Sequence, residues 1–212
     1  MGCKIHLAFF TNGAELSNPV DSVPIRQKEA VEASSKLNAE LRELNIDNIS
    51  MKIDATHLET LKTWLNEEWD AIFTVWPLDQ PPKHRVCSYL LGKTMASSNF
   101  KGKVYFYAVH TDLIPSHFVD ISETIEEKQE LILVYASQLK AQRYDHMSKG
   151  MDAWRSRFLP VSDKKRYIET YMEIPANAYA DFQRVYENSN LNELLKGNEV
   201  CMTAMKQLIK TT

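Results

Sequence analysis

The sequence lacks most of the features on which specialised folds depend. It contains three cysteines, Cys3, Cys87 and Cys201, which are odd in number and far apart, so neither a disulfide framework nor a CxxC metal site is predicted. No apolar run approaches the ~20 residues that cross a bilayer, and no signal peptide opens the chain. We therefore expect a cytoplasmic protein with free thiols and no membrane partner, whose site is built from His, Asp, Glu and Arg.

Strong charge and the common catalytic motifs are missing as well. A formal net charge of −3 gives no reason to expect nucleic acid as a partner. The patterns GxGxxG, GxxxxGK[ST], GxSxG and HExxH are absent, so no motif supports nucleotide binding or serine hydrolysis. Because no repeat, low-complexity tract or linker interrupts the chain, residues 1–212 are predicted to form a single domain.

Apolar runs alternate with helical patterns along the chain. Strands are predicted at 5–10, 49–53, 71–75, 104–109 and 167–174, and helices at 26–44, 56–69, 85–96, 122–139 and from 179 onward. This order favours an α/β fold: a three-layer, Rossmann-like, mostly parallel sheet with flanking helices. The first four strands would then end on one edge, the run 104–109 would be buried on both faces, and 167–174 would lie at the sheet's margin.

The stretch Trp69–Arg85, WDAIFTVWPLDQPPKHR, has the order of a strand, a polar loop and the start of a helix. Ligands of open parallel sheets bind beyond the carboxyl ends of the strands, which makes this loop a candidate site. His84 lies here beside Asp79, and His110 with Asp112 follows the next strand. Two histidines with carboxylates suit zinc or general acid–base chemistry, whereas a histidine at a strand end is more often a hydrogen-bonded structural residue.

Two further residues have both a functional and a structural interpretation. Arg26 at a helix start suits an anion or sugar hydroxyls, and equally suits a solvated ion pair with Glu29 or Asp21. Trp76 at the mouth of the loop is typical of core packing and also of a platform on which a sugar stacks.

Several segments together resemble the LmbE/PIG-L family of zinc-dependent N-acetylglucosaminyl de-N-acetylases. The similar segments, from about residue 5 to 138, are FFTNG at 9–13, the R-x-x-E-x-x-x-A pattern at 26–33, VWPLDQPPKHR at 75–85, VYFYAV at 104–109, FVDIS at 118–122 and YASQ at 135–138. The resemblance implies zinc as cofactor and an amino sugar or glycoconjugate as small-molecule partner. It also implies that His84 is a zinc ligand and that Arg26 contacts sugar hydroxyls, in a pocket lined further by Asn12, Asp79 and His110.

The sequence also departs from that family. It begins one strand later, without the A-H-P-D-D motif that supplies two zinc ligands and the general base. Pro81 stands where the family has its oxyanion-stabilising histidine, and Lys83 replaces an aspartate. We therefore expect a degenerate de-N-acetylase with an impaired or lost zinc site. The alternatives are a non-catalytic binding or assembly protein and a different hydrolase that uses His84, His110 and Asp112.

The absent strand has a structural consequence. Without it, two inner strand edges would carry unpaired N–H and C=O groups. The sequence therefore predicts either a narrowed sheet or self-association into a homo-oligomer.

Overall fold

The computed structural model describes residues 2–210, with the side chains of Ala180, Gln183 and Leu194 excepted. The strands are β1 His6–Thr11, β2 Glu40–Ile46, β3 Ala71–Val75, β4 Lys103–Tyr107, β5 His117–Asp120 and β6 Ile168–Pro175. The helices are α1 Pro19–Lys36, α2 Ala55–Leu65, α3 Pro82–Ala96, α4 Ile125–Val134, α5 Ala136–Leu139, α6 Tyr144–Arg155, α7 Ala176–Asn188, α8 Leu191–Leu194 and α9 Glu199–Lys210, with a 3₁₀ turn at Ser156–Phe158.

The chain divides into two compact units. The first unit is Met1–Asn48 with Phe118–Thr170, and the second is Ile49–His117 with Tyr171–Thr212. Strands β5 and β6 run across the division. The expectation of a single domain over residues 1–212 stays a prediction.

The first unit is built on the parallel pair β1 and β2, joined by α1. Helix α1 begins where the Asn18 side chain accepts a hydrogen bond from the Asp21 N–H and Pro19 occupies the first helical position, a combination that favours a helix start. It ends just before Asn38, whose φ of 49° lies in the left-handed region. Its buried face includes Ala30 and Ala33.

The predicted boundaries in this region are wrong. The sequence predicted a helix as far as residue 44 and a strand at 49–53, whereas the chain leaves α1 at Lys36 and forms β2 at Glu40–Ile46. Leu41 and Leu44 fit helical spacing, but pairing with β1 satisfies the backbone of this segment and buries Leu44.

The second unit is built on β3 and β4, which pair in parallel, and on β6, which is antiparallel to β4. The strand order of this sheet is β3-β4-β6-β5, so β6 lies inside the sheet and not at its margin. Strand β4 buries one face: Val104 and Phe106 are inaccessible to solvent, while Lys103 and Tyr107 are exposed. The prediction that this strand is buried on both faces is therefore wrong.

Helix α3 packs against α2, α7 and α9 and forms the helical side of this unit. The Tyr179 ring of α7 lies edge-on to Phe106 at 4.9 Å between centroids, and its hydroxyl is 2.7 Å from the Ser88 hydroxyl. Gly92 permits this contact, since a Cβ there would approach the Tyr179 ring to 2.9 Å. Half-buried Trp76 also contacts Phe106, which supports its interpretation as a packing residue.

The fold class is confirmed: the chain is a mixed α/β protein with helices flanking its sheets. The hydrogen-bonding pattern differs from the expected one, because the parallel pairs β1–β2 and β3–β4 belong to separate sheets and the predicted strand at 49–53 does not form. The sequence missed β5, which has four exposed residues. The three thiols are free, with Cys201 buried and Cys3 exposed. Among residues 2–210, no helix combines the length and the apolar character that a membrane span requires.

Candidate functional site

The candidate loop lies between β3 and α3, where the sequence placed it. Trp76 closes the strand by donating its N–H to the Tyr107 carbonyl at 2.8 Å, and the Asp79 N–H then donates to the Trp76 carbonyl to form a turn. Pro81 and Pro82 follow, and Pro82 starts α3 because proline suits the first helical position. Two residues later the helix presents His84.

Asp79 is the centre of this loop. Its side chain is fully buried, and Oδ2 lies 2.7 Å from Nδ1 of His84. Oδ1 accepts hydrogen bonds from the backbone N–H groups of His110 at 2.9 Å and Thr111 at 2.7 Å. The carboxylate thus ties the loop after β3 to the loop after β4.

The same contacts set the ionisation of Asp79. Burial by itself would raise the pKa of the carboxyl, but the hydrogen bonds with His84, His110 and Thr111 outweigh it and hold the pKa below its usual value. Asp79 is therefore an ionised carboxylate that accepts hydrogen bonds from its neighbours. Both of its oxygens are engaged by the protein.

His84 is oriented by this carboxylate. Because an ionised carboxylate can only accept a hydrogen bond, Nδ1 carries the proton that faces Asp79, and in neutral imidazole Nε2 is left with its lone pair. The side chain is 36% exposed, and its ring lies 5.6 Å from the His110 ring between centroids. Held in this way by Asp79, the His84 imidazole can act as a base or bind a cation through Nε2.

A zinc ion with three protein ligands does not fit these donors. Structural and catalytic zinc sites use three or four His, Cys, Asp or Glu ligands. Within the described residues, no group of three or more such side chains is arranged to hold a metal ion. Asp79 is committed to His84 and to two backbone N–H groups, which leaves the two histidines as neighbouring donors.

An open pocket of about 430 Å³ lies beside the start of α3. Its lining residues are Gln80, Pro81, Pro82, Arg85, Glu193 and Lys196. The Arg85 guanidinium is already hydrogen-bonded to the carbonyls of Asp79 and Gln80, at 2.6 and 2.7 Å. Arg85 therefore braces the loop from the pocket side.

Asn12 and Arg26 belong to the first unit. The Asn12 side-chain oxygen accepts from the N–H groups of Ala14 and Asn48, both at 3.0 Å, so it shapes the turn after β1. The prediction that these two residues line one pocket with Asp79, His84 and His110 stays a prediction.

Arg26 is held near two carboxylates without a close bond to either. Its guanidinium nitrogens are 3.6 Å from Glu15 and 3.9 Å from Glu29, and among the described residues its buried Nε has no hydrogen-bond partner. Burial lowers the pKa of Arg26, although Glu29 and Glu15 oppose the shift. Glu29 instead accepts from the N–H and the hydroxyl of Ser137, both at 2.7 Å. Arg26 thus retains donors that suit a hydroxyl or anionic ligand.

Gly13 controls where Arg26 lies. Its φ of 71° disfavours any residue with a Cβ, and an added Cβ would stand 2.7 Å from Cγ of Arg26. We expect Gly13→Ala to lower the free energy of unfolding by about 1–2 kcal/mol and to displace Arg26. Urea denaturation measures the first effect. Gly150→Ala is the matched control, because a Cβ there meets nothing within 4 Å and should leave the stability unchanged or raised.

Sequence reasoning missed two parts of these clusters. No local pattern marks the Thr111 N–H as a donor to Asp79, and the YASQ segment that contains Ser137 does not reveal that this residue bonds to Glu29, because each contact joins distant parts of the chain. The available signals were the polar residues in the loop after β4 and the YASQ segment at 135–138.

By sequence, no family model and no curated protein matches the chain. Solved structures resemble it in fold. An N,N′-diacetylchitobiose deacetylase from Pyrococcus horikoshii aligns with a TM-score of 0.68 and 21% identity over 83% of this chain and 74% of its own. A 4-carboxy-2-hydroxymuconate hydratase from Pseudomonas putida aligns with a TM-score of 0.65 and 16% identity, over 81% and 84% of the two chains.

A conserved protein from Thermus thermophilus is similar to the same degree, with a TM-score of 0.65 and 20% identity over 81% of this chain and 82% of its own. These likenesses define the class: the chain has the α/β fold shared by a deacetylase and a hydratase. At such identities they show the fold alone, and any activity has to be argued from the residues.

Proposed function

We propose that the protein is a degenerate relative of the LmbE/PIG-L de-N-acetylases that binds an amino sugar or glycoconjugate without hydrolysing its N-acetyl group. The fold likeness to a chitobiose deacetylase supports the lineage. The observation that carries the loss of activity is an oriented imidazole, His84, with no complete ligand set around it among the described residues.

Hydrolysis in this lineage demands more than an oriented histidine. Zinc-dependent deacetylation needs a metal with three protein ligands, a base for the bound water and a group that stabilises the oxyanion. Pro81 has no side-chain donor or acceptor, and an ammonium group such as that of Lys83 has no lone pair to offer a metal. The carboxylate of Asp79 is engaged with His84, so it is not available as a third ligand.

Arg26 supports the binding half of the proposal. A buried Nε without a partner among the described residues and ion-pair distances of 3.6–3.9 Å indicate a guanidinium whose hydrogen bonds are incompletely used. A sugar hydroxyl or a carboxylate would complete them. The turn at Asn12 and Gly13 fixes the backbone against which this side chain rests.

The proposal is tested by metal analysis, acetate assay and calorimetry on the full chain. After dialysis against excess zinc, we expect well below one equivalent of zinc per chain. N,N′-diacetylchitobiose should release no acetate, yet N-acetylglucosaminyl ligands should give measurable heats of binding. Stoichiometric zinc together with acetate release would contradict the proposed loss of the site.

Arg26→Met should weaken that binding about tenfold or more, because a hydrogen bond from a charged donor contributes about 1.5–3 kcal/mol. The control is Arg184→Met, which removes an exposed guanidinium 3.4 Å from Asp181 and should leave the affinity unchanged. If no N-acetylglucosaminyl ligand binds, the sugar-binding proposal is wrong. The alternative, a non-catalytic assembly protein, then becomes the better candidate.

A further inference from the structure

The outer edge of β3 presents unpaired backbone groups. The Asp70 carbonyl accepts from the Lys103 N–H, and the Trp76 N–H donates to the Tyr107 carbonyl, so the even-numbered residues face β4. Because alternate residues of a strand direct their N–H and C=O groups to opposite sides, Ala71, Phe73 and Val75 point theirs away from β4. We call these three residues the β3 edge.

Within residues 2–210, no further strand pairs with the β3 edge, and its central residue is exposed. Strand β3 is the terminal strand of its sheet, and none of its five residues is buried. Phe73, which lies on the same side of the sheet as Tyr105, is 56% exposed. No hydrogen bond from a described residue outside β4 reaches the backbone of the β3 edge.

This edge also lacks the usual protection against pairing. Edge strands are normally blunted by charged residues, by proline or by a bulge. The sequence of β3 is AIFTV, without charge or proline, and its register with β4 runs without a shift from Ala71 to Val75. An uncharged, regular and exposed edge is a template for another strand.

We propose that a second copy of this chain pairs with the β3 edge, antiparallel and about a twofold axis through Phe73. In that register Phe73 faces the partner's Phe73, and Ala71 faces the partner's Val75. Each facing pair exchanges two hydrogen bonds, so six bonds satisfy all six outward N–H and all six outward C=O groups of the two strands. A closed, isologous dimer results.

The side chains favour the same register. Phe73 stacks on Tyr105 at 4.9 Å between centroids and lies edge-on to Tyr171 at 5.3 Å. Facing residues of antiparallel strands project on one side of the sheet, so the partner's Phe73 would extend this aromatic row. Because AIFTV has no charge, no like charges face each other within the paired strands. The short contact predicts a weak, concentration-dependent dimer.

Sedimentation velocity over a hundredfold range of concentration tests the proposal. The wild-type chain should shift from monomer to dimer as concentration rises, and Phe73→Lys should weaken the association at least tenfold, because two ammonium groups would face each other. Phe118→Lys is the control: Phe118 is 45% exposed on β5, the strand at the other end of the order β3-β4-β6-β5, and its variant should dimerise like wild type.

A charge-swap experiment tests the register and guards against misfolding. Phe73→Lys and Phe73→Glu should each be monomeric alone, yet an equimolar mixture should form a heterodimer, because residue 73 faces itself across the axis. A variant that merely unfolds does not recover on mixing. The proposal is overturned by a wild-type monomer at all concentrations, by equal loss of the dimer in Phe118→Lys, or by a mixture that stays monomeric.

Discussion

Replacing Asp79 with alanine is expected to lower the free energy of unfolding by about 3–5 kcal/mol, as measured by equilibrium urea denaturation. The carboxylate is fully buried and holds His84 together with the N–H groups of His110 and Thr111. Alanine would leave two backbone donors and an imidazole without their acceptor. It would also release the loop after β4 from the loop after β3.

Asp79→Asn separates the charge of this residue from its shape. The amide keeps an oxygen for the N–H groups of His110 and Thr111, so we expect less than half of the loss seen with alanine. An alanine variant as stable as wild type would show that these hydrogen bonds contribute nothing net.

The low pKa of Asp79 also fixes the sign of a pH effect. Near the ordinary carboxyl pKa of about 4, the native state binds fewer protons here than the unfolded chain does. This contribution to stability is therefore present above that value and is lost as the pH falls through the folded pKa. Asp79→Asn should make the acid limb of the stability profile shallower.

The stretch around Asp79 could be predicted because its signals are local. An apolar run of strand length, a loop with Pro81 and Pro82, and a helical pattern from His84 follow one another without ambiguity. The structure has β3 at Ala71–Val75 and α3 at Pro82–Ala96, as the sequence indicated. Here local propensity and tertiary packing agree.

The segment after α1 could not be predicted in the same way. Leu37, Leu41 and Leu44 have the spacing of a helix, and nothing nearby reveals that β1 offers a strand partner to residues 40–46. Asn38 was the one local sign of a helix end, since asparagine tolerates the left-handed conformation that it adopts. Pairing with β1 then decided the structure of Leu41 and Leu44.

The sequence predicted which residues of the candidate site lie near one another, but it did not predict the hydrogen bonds between them. Sequence reasoning placed Asp79, His84 and His110 in one region, and the structure brings them together. It could not show that His110 acts through its backbone N–H, or that Asp79 uses both oxygens on the protein. Those contacts depend on how two loops of the second unit meet.

Lys128→Met should also lower the free energy of unfolding strongly, by about 2–4 kcal/mol at pH 8. The Lys128 ammonium of α4 lies 2.7 Å from Asp152 of α6 and 2.6 Å from Glu169 of β6, and Asp152 is 2% exposed. The positive charge of Arg155 also acts on Asp152 and by itself would lower the pKa of its carboxyl group. Without Lys128, two neighbouring carboxylates would repel each other, one of them in a buried position.

The pH dependence identifies the cause of that loss. Burial already raises the pKa of Asp152, although Lys128 opposes the shift, so removing Lys128 must raise this pKa further. The native variant then takes up a proton at a pH where the unfolded chain does not, and it regains stability as the pH falls. The gap between variant and wild type should therefore shrink between about pH 8 and about pH 5.

Lys149→Met is the matched control, because Lys149 joins the same two helices through an exposed pair with Glu126 at 2.5 Å. It should lose no more than about 1 kcal/mol, with little dependence on pH. If the two lysine variants lose the same free energy of unfolding, the burial of Asp152 adds nothing to the contribution of its ion pair. A gap that does not change with pH would mean that Lys128 stabilises the protein by packing and not by its charge.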